Sequence, residues 1–366
     1  MENVVSFSII GGSGFRAQFY LRIAKQLPHM FRVSGMVVRD EDIGKKLEQR
    51  WNVTTYRNVE ELLENESPEF VVLSVSKSIS TTYLIKLSEM GIPVLAETPP
   101  ASDLESLVEL YEKVSKTSAK VQVAEQYHLQ PNHASRLSVI KSGRIGNISE
   151  TTVSISHYYH GVSLIRKYLG IGFENCVIKG MKFHSPIIGG PGRSGPPKKE
   201  QHITVQRDMA WLQFGGKLGV YDFTKDQHRS WIRSNHVSIR GERGEIFDDS
   251  VKYLLDYKTP IYSDLKRISR GEKENLEGYY LEGVLLGESW LYRNPFAPAR
   301  LFDDEIAIAT CLKKMGEFVA GGPSFYSLAE ASQDQYIGLM IEKAIHTGET
   351  ISTIEQPWAR IEGGIS

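Results

Sequence analysis

Short apolar runs separated by amphipathic stretches fill the first third of the chain. The runs "VSFSIIG", "FRVSGMVV", "FVVLSVS" and "PVLAE" are rich in β-branched residues and almost continuously apolar, which is typical of strands covered on both faces. The stretches between them, such as "AQFYLRIAKQLP" and "STTYLIKLSEMG", carry apolar residues at helical spacing. This alternation of strand and helix predicts a parallel sheet with helices on both faces.

After about residue 150 the pattern changes to strict alternation of apolar and polar positions. Runs such as "TTVSISHYY", "HITVQRDMAWLQF" and "LGVYDFT" repeat with period two, which indicates strands with one buried and one open face. Two helices are predicted near the end, at "DDEIAIATCLKKMGEFVAGG" and "LAEASQDQYIGLMIEKAIHTGE", and the Gly- and Pro-rich stretch 187–202 predicts a long loop. We therefore predict an α/β chain. Residues 1–125 form a Rossmann dinucleotide-binding domain, and residues 126–366 form an α+β domain for substrate binding and oligomerisation, built on a large, mostly antiparallel open sheet.

Composition limits the partners that this chain is expected to bind. Its 366 residues suit two domains, and 43 basic against 44 acidic residues leave a formal charge of -1, so no bulk field attracts nucleic acid or a membrane. The N-terminus runs directly into a strand without the pattern of a signal peptide, and Cys176 and Cys311 form no disulfide or zinc motif. We expect a cytoplasmic protein with a small-molecule substrate. The open apolar face predicts a homo-oligomer, either a dimer or a tetramer.

A glycine-rich turn follows the first predicted strand. In "SIIGGSGFRAQFY", Gly12, Gly14 and Ala17 form a GxGxxA pattern between a strand and a helix. The glycines allow the backbone to approach a pyrophosphate, and the helix N-terminus offers free N–H groups to the phosphates. The candidate cofactor-binding residues of this turn are Gly12, Ser13, Gly14, Phe15 and Arg16. The pattern predicts NAD or NADP as the cofactor.

The end of the second predicted strand does not settle which of these two cofactors binds. An acidic residue at this place usually contacts the adenosine ribose, but "GMVVRDED" carries Val38 at the usual acid position. If Arg39 meets a 2'-phosphate, NADP is favoured; if Asp40 reaches back to the ribose, NAD is favoured. A third interpretation makes both side chains parts of a solvated loop.

Several motifs in order resemble the glucose-fructose oxidoreductase and inositol dehydrogenase family (Gfo/Idh/MocA) over nearly the whole chain. They are "IIGGSGFRA", "VVLSVSKSIS", "GIPVLAETPPA", "VQVAEQYHLQPNHASRLSVIKSGRIGNI" and "HGVSLIRKYLG". The resemblance implies a Rossmann domain, a second domain with an open sheet, and a sugar- or polyol-like substrate. It adds these candidate cofactor contacts: Ser74, Val75, Ser76, Lys77, Glu97 and Gln126.

The chain also departs from the family pattern. The family carries Glu-Lys-Pro where this chain has Glu97, Thr98 and Pro99, so a lysine that lies beside the reacting carbon is replaced by Thr98. The family's Thr-Pro-Asn corresponds to residues 75–77, and an aspartate after the catalytic histidine corresponds to Ser163. The turn that holds the nicotinamide is expected to be intact, while one polar anchor is lost.

Oxidation of an alcohol requires a base for the hydroxyl proton, and histidine suits that task near neutral pH. His160 matches the family histidine, and it competes with His157 and with His128 for the role. An alternative role for His160 is purely structural, at the start of the following helix. Two histidines without a third ligand do not indicate a metal. Other candidate proton donors are Lys77, Tyr127 and Lys167.

The remaining candidates are expected to position a substrate. Thr98 can donate a hydrogen bond but cannot act as a general acid near neutral pH, so it is expected to position the substrate or to have no role. Arg193, Lys198 and Lys199 in the long loop either recognise a carboxylate or phosphate or form a solvated surface. The last candidates are aromatic residues placed on the predicted sheet that could stack on a sugar, namely Trp211, Tyr158 and Tyr159.

The sequence thus predicts an NAD(P)-dependent oxidoreductase acting on CH-OH groups of a sugar, polyol or related compound. The missing lysine keeps two alternatives open. One is a non-catalytic dinucleotide-binding sensor or partner protein. The other is a glycoside hydrolase that uses NAD only transiently, as some members of the family do.

Overall fold

A computed structural model describes residues 4–271 and 278–362, and its N-terminal part is a six-stranded parallel sheet. The strand order β3-β2-β1-β4-β5-β6 is that of a Rossmann fold, as predicted. The strands are β1 (Val5–Ile10), β2 (Phe31–Val37), β3 (Thr55–Tyr56), β4 (Phe70–Leu73), β5 (Val94–Ala96) and β6 (Val121–Val123). The strands β4, β5 and β6 are buried along their whole length, which explains why β4 and β5 are apolar throughout.

Five helices connect these strands, and three of them begin with a side-chain cap. Asp40, Asn58 and Asp103 each accept a hydrogen bond from the backbone N–H three residues later, which stabilises the helix N-terminus. The helices are α1 (Ala17–Gln26), α2 (Glu41–Trp51), α3 (Val59–Asn65), α4 (Lys77–Glu89) and α5 (Leu104–Val114).

The second sheet has eleven strands in the order β16-β15-β14-β13-β12-β11-β7-β10-β9-β8-β17. Within the described residues its pairs are antiparallel except for β7 with β10, so the prediction of a mostly antiparallel sheet is confirmed. The strands are β7 (Ile148–Ser154), β8 (Val177–Ile188), β9 (His202–Phe214), β10 (Lys217–Thr224), β11 (His236–Gly241), β12 (Gly244–Phe247), β13 (Ser250–Asp256), β14 (Thr259–Arg270), β15 (Tyr280–Leu286), β16 (Ser289–Arg293) and β17 (Ile351–Ser352). The predicted long loop spans residues 189–201, between β8 and β9.

Helices cover one face of this sheet and also return to the first one. They are α6 (Pro131–Lys141), α7 (Tyr158–Leu169), α8 (Asp303–Val319), α9 (Leu328–Thr347) and α10 (Ala359–Glu362). The helices α7 and α9 pack on the large sheet, whereas Ile308 and Met315 of α8 are buried in the same apolar cluster as Phe7 of β1. Residues 303–319 therefore complete the core of the N-terminal sheet, although they lie far beyond residue 125.

One placement predicted from the sequence was wrong. Tyr158 and Tyr159 were expected on the second sheet, but β7 ends at Ser154 and both tyrosines lie in the first turn of α7. The buried positions Tyr159, Val162 and Leu169 recur at helical spacing, and this period outweighs the short alternating run before it.

The other face of the large sheet carries exposed apolar side chains. Met181, Phe183 and Trp211 are exposed by 44%, 54% and 43%, on the adjacent strands β8 and β9. Among the described residues, no helix has the length and apolar character needed to cross a bilayer.

Candidate active site

The predicted cofactor and catalytic residues converge on one edge of the first sheet. The carboxyl ends of parallel strands meet at the same edge, and ligands of such sheets bind there. The segments 11–16, 74–77 and 97–98 directly follow β1, β4 and β5, and the segment 125–127 begins two residues after the end of β6. The topology thus gathers residues that are distant in the sequence.

The glycine turn uses three glycines, each in a different way. Gly11 has φ +96° and an added Cβ there would lie 2.3 Å from the Ser74 carbonyl oxygen, so this position requires glycine. A Cβ at Gly12 would lie 2.3 Å from the methyl carbon of Met36, whereas one at Gly14 would have 3.4 Å to the nearest atom, the Gly11 carbonyl oxygen. Gly14 is therefore free of a packing role, and its missing side chain leaves open space at the turn.

The turn and its surroundings fit a dinucleotide. Helix α1 has no acidic residue in its first turn to repel a phosphate. Gln126, after β6, is 4% exposed, and its side-chain oxygen is buried with no hydrogen-bond partner among the described residues. A buried acceptor without a partner is costly, so this oxygen is suited to accept a hydrogen bond from a bound carboxamide.

At the ribose end of the site, Arg39 and Asp40 have different environments. One Asp40 carboxylate oxygen caps α2 by accepting from the Ile43 N–H at 2.9 Å. Arg39 is exposed and forms no ion pair with any described residue. Beneath this loop, the Arg57 guanidinium donates to the Val38 carbonyl at 2.5 Å and adds a second positive charge.

Arg16 and Glu97 belong to a polar network that joins the first sheet to α8. Arg16 donates to Glu97 at 2.9 Å and to Asp304 at 3.0 Å, and the Tyr20 hydroxyl donates to Glu97 at 2.5 Å. Gln126 donates to the same Asp304 at 3.2 Å. The side chain of Arg16 is thus engaged within the protein, which leaves the backbone of Arg16 as the part able to face a phosphate.

The segment after β4 lines the edge beside the glycine turn. Ser74 is buried, and its carbonyl oxygen lies near both Gly11 and Gly14. Ser76 occupies the N-cap position of α4 without a side-chain cap, Lys77 begins the helix, and both side chains are exposed. Val75 lies between them, partly buried, so this segment offers a cofactor an apolar contact and a helix N-terminus.

His160 in the first turn of α7 is held by a buried carboxylate. Its Nδ1 lies 2.6 Å from Oε2 of Glu125, which is completely buried after β6. A carboxylate can only accept, so Nδ1 carries the proton and donates it to Glu125. The other ring nitrogen, Nε2, has no partner among the described residues, and it carries the lone pair whenever the ring is neutral. This arrangement orients the ring so that its neutral form can act as a general base.

Tyr127 packs against this histidine. The two ring centroids are 4.5 Å apart, and the backbone N–H of Tyr127 donates to the second oxygen of Glu125 at 3.1 Å. Burial raises the pKa of Tyr127 to about 12, so its phenol is a weaker proton donor than an ordinary tyrosine. Tyr127 therefore fixes the Glu125–His160 pair.

His157 lies at the N-cap of α7 and contacts a histidine that the sequence analysis did not consider. Its Nε2 is 3.2 Å from Nε2 of His228. Desolvation, with His228 as the next cause, lowers the pKa of His157 to about 4, and the positive charges of Lys225 and Lys77 act in the same direction. His157 is therefore neutral at physiological pH, and its Nε2 is already in contact with His228.

Each histidine of this pair lines a cleft. His157 lines one of about 600 Å³ together with Phe223 and Lys225. His228 lines another of about 500 Å³ together with Tyr127. Tyr127, which packs on His160, lines only the second of these clefts, and His160 itself lines neither.

Two other candidate proton carriers have structural partners instead. His128 is enclosed against Tyr326 with ring centroids 5.2 Å apart, and burial lowers its pKa to about 3. Lys167 forms an ion pair with Glu330 at 2.6 Å. Neither side chain is placed to exchange a proton with a substrate.

Thr98 is partly buried after β5, and its hydroxyl forms no hydrogen bond to any described residue. The peptide bond between Thr98 and Pro99 is cis. The preceding Glu97 N–H donates to the Leu73 carbonyl at 3.1 Å, which fixes the turn to β4. The hydroxyl of Thr98 is therefore available for positioning.

The long loop reaches the glycine turn through one residue. The Arg193 guanidinium lies 5.1 Å from the centroid of the Phe15 ring, which is 60% exposed. Lys198 and Lys199 are exposed on the same loop. Trp211 lies on the open face of the large sheet, opposite the face covered by α7, the helix that carries His160.

The sequence analysis missed Glu125, Gly11 and His228. Glu125 sits next to the predicted Gln126, and a carboxylate just beyond the end of a predicted buried strand was a signal that could have been used. Gly11 precedes the recognised pattern by one residue. His228 had no signal, because its contact with His157 spans 71 residues.

A family model matches the N-terminal part of the chain, and a curated relative matches part of the chain. Residues 5–125 match the model described as "Oxidoreductase family, NAD-binding Rossmann fold". An uncharacterized oxidoreductase of Schizosaccharomyces pombe is 25% identical over 153 residues, which are 41% of this chain and 42% of that relative. The match thus spans less than half of the relative's length.

Solved structures resemble the whole chain in fold. Levoglucosan dehydrogenase in complex with NADH superposes with a TM-score of 0.69 at 14% identity and covers 96% of this chain and 100% of its own. An oxidoreductase from Agrobacterium radiobacter in complex with NAD+, L-tartaric acid and magnesium gives a TM-score of 0.67 at 14% identity, with 95% and 98% covered. At such identities the likeness establishes the fold.

Proposed function

We propose that this chain, whose residues 5–125 match the NAD-binding Rossmann-fold oxidoreductase family Gfo/Idh/MocA, is an NAD(P)-dependent oxidoreductase acting on CH-OH groups. Its substrate is a sugar, polyol or related hydroxy compound. The observation that carries the proposal is the Glu125–His160 pair, because it supplies an oriented base beside the edge where the nucleotide binds.

The residues have separate tasks in this reaction. A bound nicotinamide would supply hydride transfer to or from the carbon that bears the hydroxyl. His160 takes the hydroxyl proton on Nε2 during oxidation and returns it during reduction. Glu125 keeps Nδ1 protonated and stabilises the positive charge that develops on the ring. Tyr127 and Thr98 position the substrate oxygen.

The same pair bears on the two alternatives. A sensor that only binds dinucleotide has no need of a buried carboxylate held 2.6 Å from a histidine, so this contact favours catalysis. A hydrolase with transient redox chemistry uses the same base, and its cofactor returns to the starting state. Accumulation of reduced cofactor with substrate separates net oxidation from that hydrolase.

The proposed activity is tested with a panel of sugars, inositols and their acids, with each cofactor, by the absorbance of the reduced nicotinamide. We expect turnover of at least one compound with one of the cofactors. If the protein binds a cofactor but neither oxidises, reduces nor hydrolyses any compound of the panel, the result would favour the sensor.

We propose that Arg39 meets the 2'-phosphate of NADP, since it is exposed and unpaired while Asp40 caps α2. Arg39→Ala is expected to weaken NADP by about 10 to 100-fold, the effect of one charge-assisted hydrogen bond, and to leave NAD nearly unchanged. Calorimetry measures both affinities. Lys46→Ala, an exposed residue of α2, is the matched control, and equal losses for NAD and NADP would return Arg39 to the solvated-loop interpretation.

Thr98→Ala is expected to lower kcat by less than about 10-fold, because it removes a single neutral hydrogen bond. Thr98→Lys places an ammonium where the family carries lysine, and we expect it to increase turnover of a simple polyol by hydrogen-bonding the reacting oxygen. Steady-state kinetics of both variants test this. A loss in Thr98→Ala as large as that in His160→Ala would show that Thr98 has a larger role than positioning.

Two further properties stay predictions from the sequence. Self-association as a dimer or tetramer would cover the exposed Met181, Phe183 and Trp211. A cytoplasmic location would suit the proposed cofactor.

A further inference from the structure

We infer that Arg193, from the loop 189–201 between β8 and β9, binds the pyrophosphate of the dinucleotide and thereby holds this loop over the glycine turn. A residue from the domain of the second sheet then completes the cofactor site. The inference rests on the proposed function only for the class of cofactor, NAD or NADP, and it concerns binding rather than hydride transfer.

A tight turn presents Arg193 at the tip of the loop. The backbone N–H of Gly192 donates to the Gly195 carbonyl at 3.0 Å, and the Gly195 N–H donates back to the Gly192 carbonyl at 3.2 Å. Arg193 is thus a central residue of a two-residue hairpin, and Gly195 has φ +109°, a backbone conformation that favours glycine. At the base of the loop, the Gly189 N–H donates to the Gln201 carbonyl at 2.8 Å. The loop therefore has a defined shape, with Arg193 at its far end.

The tip of the loop contacts the glycine turn. Cζ of Arg193 lies 5.1 Å from the centroid of the Phe15 ring, within the range of a cation–π interaction. Phe15 directly follows Gly14, and its ring packs edge-on against Phe19 of α1 with the centroids 5.4 Å apart. Arg193 therefore lies beside the backbone that a pyrophosphate approaches.

The guanidinium of Arg193 is free to bind a phosphate. The side chain is exposed, and it forms no hydrogen bond or ion pair with any residue that the structure describes. A guanidinium presents its N–H donors in a planar fork that matches a phosphate, and it also stacks on aromatic rings. Arg193 thus combines a fixed place beside the turn with unused donors.

The glycine turn itself has no free positive charge. Arg16 is the only charged residue of the segment 11–16, and its guanidinium donates to Glu97 at 2.9 Å and to Asp304 at 3.0 Å. These two carboxylates outnumber Arg16, so it brings no excess positive charge to a pyrophosphate. The N-terminus of α1 offers N–H groups, and Arg193 supplies the cation that the turn lacks.

Calorimetry on the full chain tests this assignment with NAD and with ADP-ribose, which keeps the pyrophosphate but lacks the nicotinamide. Arg193→Gln is expected to weaken both ligands by about 10-fold, because charge-assisted hydrogen bonds are lost. Arg193→Lys keeps the charge without the planar fork, so its loss should be smaller. Lys199→Gln removes a charge from the same exposed loop and is the matched control, for which wild-type affinities are expected.

Limited proteolysis with trypsin reports the position of the loop. Lys198 and Lys199 are exposed cleavage sites within it, and Lys258 is an exposed site in the turn between β13 and β14. Saturating NAD or ADP-ribose is expected to slow cleavage after Lys198 and Lys199 and to leave cleavage after Lys258 unchanged, because the bound pyrophosphate holds the loop through Arg193. In Arg193→Gln, the saturating ligands should give the loop no protection.

Three results would overturn the inference. They are equal affinities of Arg193→Gln and the wild type, a loss for NAD without a loss for ADP-ribose, and cleavage of the loop that saturating ligand does not slow. The second result would place Arg193 at the nicotinamide end.

The wild-type protein separates this inference from the proposed function. If the wild type binds no dinucleotide and no ADP-ribose, both fail. If it turns over a substrate and Arg193→Gln binds NAD as the wild type does, only the inference fails. Binding that depends on Arg193 without turnover of any compound would retain the inference and reject the oxidoreductase.

Discussion

His160→Ala is expected to lower kcat by about 10² to 10⁴-fold with little change in cofactor affinity, because it removes the only nitrogen that the described structure aims as a free base beside the cofactor edge. The cofactor contacts come from the first sheet, whereas His160 comes from α7. Steady-state kinetics and calorimetry measure the two effects. His346→Ala, exposed in the last turn of α9, is the control and should behave as wild type.

The carboxylate partner separates a catalytic from a structural role for His160. Glu125→Gln retains the size of the side chain but replaces the buried charge that fixes the tautomer, so a loss of roughly 10²-fold in kcat is expected. The pH dependence of kcat should change in Glu125→Gln and not in the His346→Ala control. Full activity in His160→Ala would refute its role as the base and redirect the search to His157, Tyr127 and Lys77.

Gly14→Leu is expected to abolish cofactor binding while the fold remains intact. A Cβ added at Gly14 would lie 3.4 Å from its nearest neighbour, and the residue does not have a positive φ, so the fold accepts a side chain there. The rest of the leucine side chain would occupy the space needed by a pyrophosphate. Calorimetry with NAD and NADP measures binding, and thermal unfolding reports the fold.

Substitutions at two other glycines serve as controls for Gly14→Leu. Gly216→Leu, where an added Cβ meets nothing within 4 Å, should change neither binding nor stability. Gly11→Ala should unfold at lower temperature, because its Cβ would lie 2.3 Å from the Ser74 carbonyl oxygen at φ +96°. Wild-type cofactor affinity in Gly14→Leu would remove the glycine turn from the binding site.

Local patterns were sufficient for the architecture of the chain. The buried strands of the first sheet are apolar on both faces, and the strands of the second alternate, so period and composition predicted both sheets. At Tyr158 and Tyr159 the alternating pattern of a strand overlaps the helical pattern of α7. The helical pattern was the stronger there, so the predicted end of β7 was wrong.

The sequence by itself determined the Rossmann domain, the antiparallel sheet, the glycine turn and His160 as candidates, because each has a signal within a short segment. Only the tertiary structure decided which groups meet. Glu125 and His160 are 35 residues apart and His157 and His228 are 71 apart, and no local period encodes such distances. The first pairing follows from the carboxyl edge of the first sheet meeting the first turn of α7, and the second from the turn after β10 meeting the N-terminus of the same helix.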